Sequence, residues 1–432
     1  MKTTIKKISP YTREITILIP WEDLESAFEL HIRSFIQKIK LPGFRKGKVP
    51  RKILAQKFGP EIEAEFAQNS IEIHYAEALH EHKVVPVNRA KIDDLNFSEG
   101  SSLSFKATLE VEPEVKLPKY NKKMKLKKNN YIPDEKDVDS NIEEFRRQFS
   151  ELKTIETESK DNDILLVDMQ EIDSSGVPLI GKKIEDRYLK IGEGVFGGQN
   201  LNNLTGLKSQ DKTIIEIKGS KIDESARYQV TVKNVQEEIL PELNDEFIKK
   251  LDSDATDLSS FRKNVQNHIQ QRLDREAEGQ LNEEIIEYFI QSTKIEPPPS
   301  MVDNMIENAV EKAKSNNNET FDEEDYRLKS RPSVLRSVKW YLIRKELIKR
   351  EELTVSDEQI SDRIQKFLAS SKDEKGQIRR FYKKSSNRER LREDLLDDLL
   401  FNRLKDNAKL TEVTITTAEL RKQQNLSHEE HS

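Results

Sequence analysis

Leu41-Pro42-Gly43-Phe44-Arg45-Lys46-Gly47-Lys48-Val49-Pro50 is the most informative stretch of this 432-residue chain. Two prolines and two glycines within ten residues stop a helix and specify a formed, exposed turn. Phe44 stands between glycine and arginine at the tip, where no local apolar period can bury it. Lys40, Arg45, Lys46, Lys48, Arg51 and Lys52 surround it without one acidic residue. A ring set in dense positive charge suits a surface made of RNA and protein. The cations engage phosphates and carboxylates, while the ring fills an apolar socket. The plainer reading of the same residues is a solvated basic loop with a tucked phenylalanine.

Helical spacing in Leu24, Phe28, Ile32, Phe35 and Ile39 leads into this loop. Before it, residues 2–9 and 13–19 alternate apolar and polar side chains around Ser9-Pro10, as paired strands do. After it, the pattern predicts a short helix over 53–58 and a longer one opened by Pro60 and carrying Ile62, Phe66, Ile73 and Leu79. Residues 92–97 and 103–111 read as a closing strand pair, which completes a self-contained α+β domain over 1–113.

Gly43-Phe44-Arg45-Lys46-Gly47-Lys48-Val49-Pro50 resembles, without departure, the Gly-Phe-Arg-x-Gly-x-x-Pro ribosome-binding signature of bacterial trigger factors. It also lies between the expected helices of a β-β-α-loop-α-α-β-β domain. Leu240-Pro241-Glu242-Leu243-Asn244-Asp245-Glu246-Phe247 resembles the junction that precedes the family's C-terminal domain, and the resemblance extends over essentially the whole chain. It implies a multidomain α+β fold: an N-terminal α+β ribosome-binding domain (1–113), a basic linker and helix (114–150), a small FKBP-like β-sheet-plus-helix peptidyl-prolyl isomerase domain (151–240) and an elongated α-helical C-terminal chaperone domain (241–432). It further implies that Gly43, Phe44, Arg45, Lys46, Gly47, Lys48 and Pro50 bind the large ribosomal subunit near the nascent-chain exit. The partners are then nascent and unfolded polypeptides, held open and unaggregated without ATP in support of folding, export and cell division, with a homodimer off the ribosome.

The lysines at 116, 119, 122, 123, 125, 127 and 128, with Glu114 as the only acid, read as a solvated linker. Val138, Ile142, Phe145 and Phe149 then place a helix over 134–149. In the middle segment, residues 164–172, 187–191, 213–217 and 227–235 are strand-like, and 200–207 reads as a short helix. A proline isomerase of the FKBP type needs an aromatic, water-poor pocket that favours a twisted amide. Where the family usually has an Asp-Phe pair, this chain has Asp168-Met169. The family's Phe-x-Pro-Gly-Phe-Glu-like stretch becomes Phe196-Gly197-Gly198-Gln199-Asn200-Leu201. Aligned on Leu204-x-Gly206-Leu207, Phe196 takes the first phenylalanine's place and Asn200 the second's. The flap shrinks to 218–226 and lacks the family's tyrosine. Phe196 is therefore the catalytic-site residue carried over, and isomerase activity is expected to be weak or absent.

Beyond residue 240 the pattern is helical: a long helix over 261–290, a stop at Pro297-Pro298-Pro299, helices over 301–313 and, after Pro332, 335–350. Ser356 and Gln359 form a capping box with Val355 placed to staple Ile360. A last helix over 388–407 carries Leu391, Leu395, Leu399, Phe401 and Leu404, followed by a strand at 412–415 and a frayed tail at 428–432. Only 34% of residues are hydrophobic and 35% are charged, so several small domains fit better than one large globule. No run reaches the ~18 apolar residues of a membrane span. A basic start without an apolar stretch predicts no secretory leader and a cytoplasmic protein.

No cysteine is present, which excludes disulfides and thiol chemistry. His80-Glu81-His82 and His428-x-x-His431 lack the helical setting and third ligand of a zinc site, so no metal is expected. No phosphate-binding Gly-x-x-x-x-Gly-Lys-Ser/Thr loop occurs, so no cofactor is expected, and neither DNA nor a membrane is an expected partner. Two rival readings are a dedicated prolyl isomerase and an export chaperone of the SurA type. The lack of an aromatic pocket lining disfavours the first, and the intact Gly-Phe-Arg loop disfavours the second.

Overall fold

The computed structural model describes residues 1–45, 47–121, 124–218, 225–316, 321–370 and 375–422. In the first segment, β1 (Lys2–Lys7), β2 (Thr12–Ile19), α1 (Trp21–Lys38), α2 (Arg51–Glu81), β3 (Lys91–Asn96) and β4 (Leu103–Glu110) follow one another. The strands form an antiparallel sheet in the order β1-β2-β4-β3. Period-two alternation turns Ile15, Ile17 and Ile19 of β2 and Leu103, Phe105, Ala107 and Leu109 of β4 into one core. Onto it α1 lowers Leu24, Phe28, Ile32 and Phe35, a single helical face. Phe28 sits edge-on to Trp21, Phe66 and Phe97 at 5.5, 5.0 and 5.6 Å. Such pairs each add about 0.5–1.5 kcal/mol beyond the area they bury.

One expectation fails here. Instead of two helices broken at Pro60, α2 runs unbroken through it. Proline removes one ladder bond and crowds the preceding residue, and Gly59, without a Cβ, relieves much of that crowding. Leu54 on one side and Ile62 and Phe66 on the other bury into the same core, which offsets the lost bond.

Next come β5 (Lys125–Ile132), α3 (Glu135–Gln148), β6 (Glu151–Ile155), β7 (Ile164–Ile172), β8 (Pro178–Lys190), α4 (Leu201–Leu204), β9 (Lys212–Lys218) and β10 (Ser225–Ile239). The remainder is α5 (Asp245–Leu251), α6 (Leu258–Ser292), α7 (Pro299–Asn316), α8 (Glu323–Arg350), α9 (Asp357–Ser370), α10 (Lys375–Phe381), α11 (Ser385–Asp406) and β11 (Lys409–Thr416). Contacts divide the chain into two compact units, Met1–Lys127 with Gln280–Thr411, and Lys128–Gly279 with Glu412–Ser432.

In the first unit a second core joins Leu281, Ile285 and Phe289 of α6 to Val302, Ile306 and Val310 of α7, Val338 and Leu342 of α8, and Leu400 and Leu404 of α11. Tyr120, Met124 and Leu126 are buried in that same core. The stretch read as a solvated linker is therefore an anchored segment. Its lysines point outward while alternate residues are apolar, and β5 pairs with β11. Lys122 and Lys123 lie outside the described residues. The Tyr120 hydroxyl donates to Glu351, and the ring stacks edge-on with Phe289 at 5.2 Å.

Pro332 does not open a helix either: α8 starts at Glu323, capped by Asp322, whose carboxylate accepts the Asp325 N–H at 3.1 Å. The Ser356–Gln359 box forms as expected, with Ser356 N–H to Gln359 Oε1 at 2.8 Å and Ile360 buried beneath it. The expected frayed tail lies outside the described residues.

In the second unit, α3, α5 and α6 bury Val138, Ile142, Ile248, Phe261, Val265 and Ile269 together, with Ile415 and Leu420 packed alongside. An Asp134–Asp137 capping box starts α3. The other core of this unit belongs to a five-stranded antiparallel sheet in the order β6-β10-β7-β8. The long β10 pairs β7 along one edge, and on the other pairs β9 over 225–231 and β6 over 235–239. Sequence periodicity found only the end of β8, because its first half is exposed on both faces and carries no alternation. The register makes Glu151 and Ile239 direct partners, so the sheet begins and ends at the same place.

Burial of the linker makes a measurable difference. Met124→Ala is expected to cost about 2–5 kcal/mol in denaturant unfolding, as fully buried methionine truncations do. A solvated linker would show a change within about 0.5 kcal/mol.

Candidate functional site

Between α1 and α2 the signature residues fold into two successive tight turns. Phe44 N–H donates to Leu41 O at 3.1 Å and Lys48 N–H donates to Arg45 O at 2.9 Å. Gly43 and Gly47 take φ of +89° and +79°, a left-handed conformation that L side chains resist. At either end Leu41 packs partly against the first core and Val49 is buried in it. Pro50 stands at the N-cap of α2, its carbonyl receiving the Ile53 and Leu54 N–H groups at 3.1 and 3.0 Å. The loop is thus held at both ends and shaped in the middle.

Phe44 is 38% exposed, so the tucked reading is set aside. Lys40, Arg45, Lys48 and Lys52 are exposed too and pair with no carboxylate among the described residues. Lys46 lies outside the described residues. Arg51 departs from the expected ring of cations. Its guanidinium grips Glu29 of α1 and Glu99 of the β3–β4 turn, whose bonds hold its proton more firmly than usual. Both partners are far away in sequence, so no local reading could have found them.

The second candidate site is in the β6–β10 domain. Phe196 ends a 3₁₀ turn over Gly194–Phe196 and packs partly buried against the core that contains Met169. Glycine is required nearby: a Cβ on Gly192 would lie 2.3 Å from Asp161 Oδ1, and one on Gly197 2.7 Å from Gly192 O. Asp168 and Met169 part company. Met169 faces the core, whereas Asp168 alternates to the opposite face and binds Lys233 at 2.8 Å. That ammonium, with the Asp186 N–H, holds the Asp168 carboxyl below the usual carboxylate range. Asp168 therefore stands away from Phe196.

Asn200, aligned with the second phenylalanine, has its side-chain amide fully engaged. Its Nδ2 donates to Val195 O at 2.8 Å and Glu216 O at 2.7 Å, and its Oδ1 accepts the Glu216 N–H at 3.1 Å. The amide is a buried brace between the Gly194–Phe196 turn and β9, with its polar bonds satisfied. Sequence reading missed Tyr228. It shares a face of β10 with buried Val230 and packs against the same core as Phe196. Its signal was the two-residue spacing to Val230 and Val232. Of the shortened flap, residues 219–224 lie outside the described residues.

His80 and Glu81 do lie in the last turn of α2, contrary to the expected non-helical setting, but His82 shares a hydrogen bond with Thr3 at 2.9 Å. Among the described residues no three His, Asp or Glu side chains gather as a metal site would require. His428 and His431 lie outside the described residues.

The chain's relatives agree with this architecture. A sequence profile described as "Bacterial trigger factor protein (TF)" matches residues 1–145. Another, described as "Bacterial trigger factor protein (TF) C-terminus", matches residues 257–406. The trigger factor of Natranaerobius thermophilus is 28% identical over 96% of this chain and 97% of its own length. That of Marinomonas sp. is 27% identical over 96% of each, and that of Marinobacter nauticus 24% over 95% and 96%. A solved structure described as "Promiscuous Substrate Recognition in Folding and Assembly Activities of the Trigger Factor Chaperone" superposes with a TM-score of 0.52 at 20% identity. It covers 94% of this chain and 99% of that one, a likeness of fold. With both its N- and C-terminal parts matched and nearly its whole length aligned, the chain belongs to the trigger factor family.

Proposed function

We propose that this chain is a ribosome-associated chaperone: its 41–50 loop docks on the large subunit near the nascent-chain exit, and its helical segments hold unfolded polypeptides without ATP. The observation that carries the reading is the exposed Phe44 turn with its uncompensated cations, in a member of the trigger factor family. Cations on such a turn meet phosphates, and the ring supplies an apolar contact. Met305, Leu328, Tyr341 and Phe381 stand exposed among charged neighbours on the helices. Scattered apolar contacts of this kind suit weak, sequence-tolerant client binding.

Among the described residues no helix is long and apolar enough to cross a membrane. A cytoplasmic location, a part in export and cell division and a homodimer off the ribosome belong to the same proposal. So does the assignment of 1–113 to ribosome binding, 114–150 to a connecting strand and helix, 151–240 to the isomerase scaffold and 241–432 to client holding.

A second reading is favoured by one observation. Phe196 and Tyr228 both pack, partly buried, against the core that contains Met169, so aromatic rings remain on that face of the sheet and slight prolyl isomerase activity is expected. An X-Pro bond crosses a barrier of about 18–20 kcal/mol, and a tenfold acceleration requires only about 1.4 kcal/mol of it.

Replacing Phe44, Arg45 and Lys46 together by Ala should abolish most co-sedimentation with ribosomes while thermal stability stays nearly unchanged. Undiminished binding would remove the docking assignment. A shortened chain joining 1–150 to 240–432 should still suppress aggregation of a refolding client, and the cut is clean because Glu151 and Ile239 are register partners. If that chain folds yet fails to hold clients, the middle domain is required. In proline-limited refolding the wild type should accelerate folding by no more than about tenfold. Larger acceleration, lost on Phe196→Ala, would show a fully working isomerase.

A further inference from the structure

The docking loop is framed by a charge cluster that belongs to three different elements. Arg51, the first residue of α2, reaches Glu29 in the middle of α1 and Glu99 in the β3–β4 turn. Behind it Glu63 of α2 accepts the Glu99 N–H at 2.9 Å. The cluster thus ties the start of α2 to the helix before the loop and to the sheet's far turn. Pro50, the last signature residue, precedes Arg51 directly, so whatever fixes Arg51 fixes the loop's exit.

We propose that Arg51 is a positioning residue for ribosome docking. It aims the 41–50 loop through Glu29 and Glu99, and it makes no contact with ribosomal RNA itself. The inference rests on the docking reading above. Phosphate contact then falls to Arg45, Lys48 and their unpaired neighbours. A cation whose charge is already balanced by two carboxylates of its own domain contributes little to counterion release on binding RNA. A loop released at its exit must be reordered each time it binds.

Binding to isolated large ribosomal subunits, measured across a salt series, separates the roles. A phosphate-contacting cation contributes about 0.7–0.9 to the slope of log K against log salt. Arg45→Gln should weaken binding and lower that slope by about this amount. Arg51→Gln should weaken binding about tenfold, the order expected for re-ordering one or two side chains, with the slope unchanged. The decisive variant is Glu29→Gln with Glu99→Gln, which keeps Arg51 but frees it. Positioning predicts weaker binding and faster amide exchange across 41–50. Direct contact predicts tighter binding and a steeper slope.

Tighter binding by the double variant, a lowered slope for Arg51→Gln, or wild-type affinity for Arg51→Gln would each overturn the proposal. An unaffected Arg45→Gln would instead overturn the docking reading. Thermal unfolding of each variant checks that the domain remains folded; the Arg51, Glu29 and Glu99 side chains are all partly exposed.

Discussion

Tyr120, Met124 and Leu126 leave the N-terminal sheet and enter a core otherwise made by helices lying 155 or more residues further along the chain. The helical core of the first unit is built around that insertion. With a fully buried Met124 and a Tyr120 hydroxyl bonded to Glu351, the connecting segment holds the helices from within. Burial raises the Tyr120 phenol well above its ordinary value, and the Glu351 carboxylate adds to the rise, so the hydroxyl stays a donor at any physiological pH. The same segment continues as β5 and pairs with β11, which ties the chain's late residues to its first third.

A chain with more charged than typical core residues succeeds by keeping each core small. Among the described residues four separate apolar clusters form, each drawing on one face of a few helices, of a sheet, or of both. Charges line the outer faces as pairs between helices, such as Arg336 with Glu283 and Arg327 with Glu307. Exposed pairs of this kind add little stability each. Their contribution is to keep long helices soluble while leaving single apolar side chains such as Leu328 available.

Local patterns were readable, and distant ones were not. The β-β-α-loop-α start could be read because its strands alternate, its helix repeats every three to four residues and its loop needs Gly43 and Gly47. The Ser356 cap was equally local. Pro60 and Pro332 misled because breaker rules weigh one bond, while Ile62, Phe66, Val334 and Val338 bury on the far side and carry the helix through. The lysines of 116–128 hid Tyr120 and Met124, whose partners begin at Leu281. At the sites, Phe44's exposure was legible, but Arg51's neutralisation by Glu29 and Glu99 and Asn200's bonds to Glu216 depend on how elements meet.

The pairing of an early strand with the last one also orders events in time. The first core is complete once residue 111 has been made, because every residue in it precedes that point. The second cannot close until Leu404 arrives. At about 5–20 residues per second, those remaining residues take roughly 15–60 seconds to synthesise. During that interval a docking domain is already folded while α6, α7 and α8 trail behind it with unmatched apolar faces. Each newly made copy therefore passes through a stage in which it needs the protection that finished copies provide.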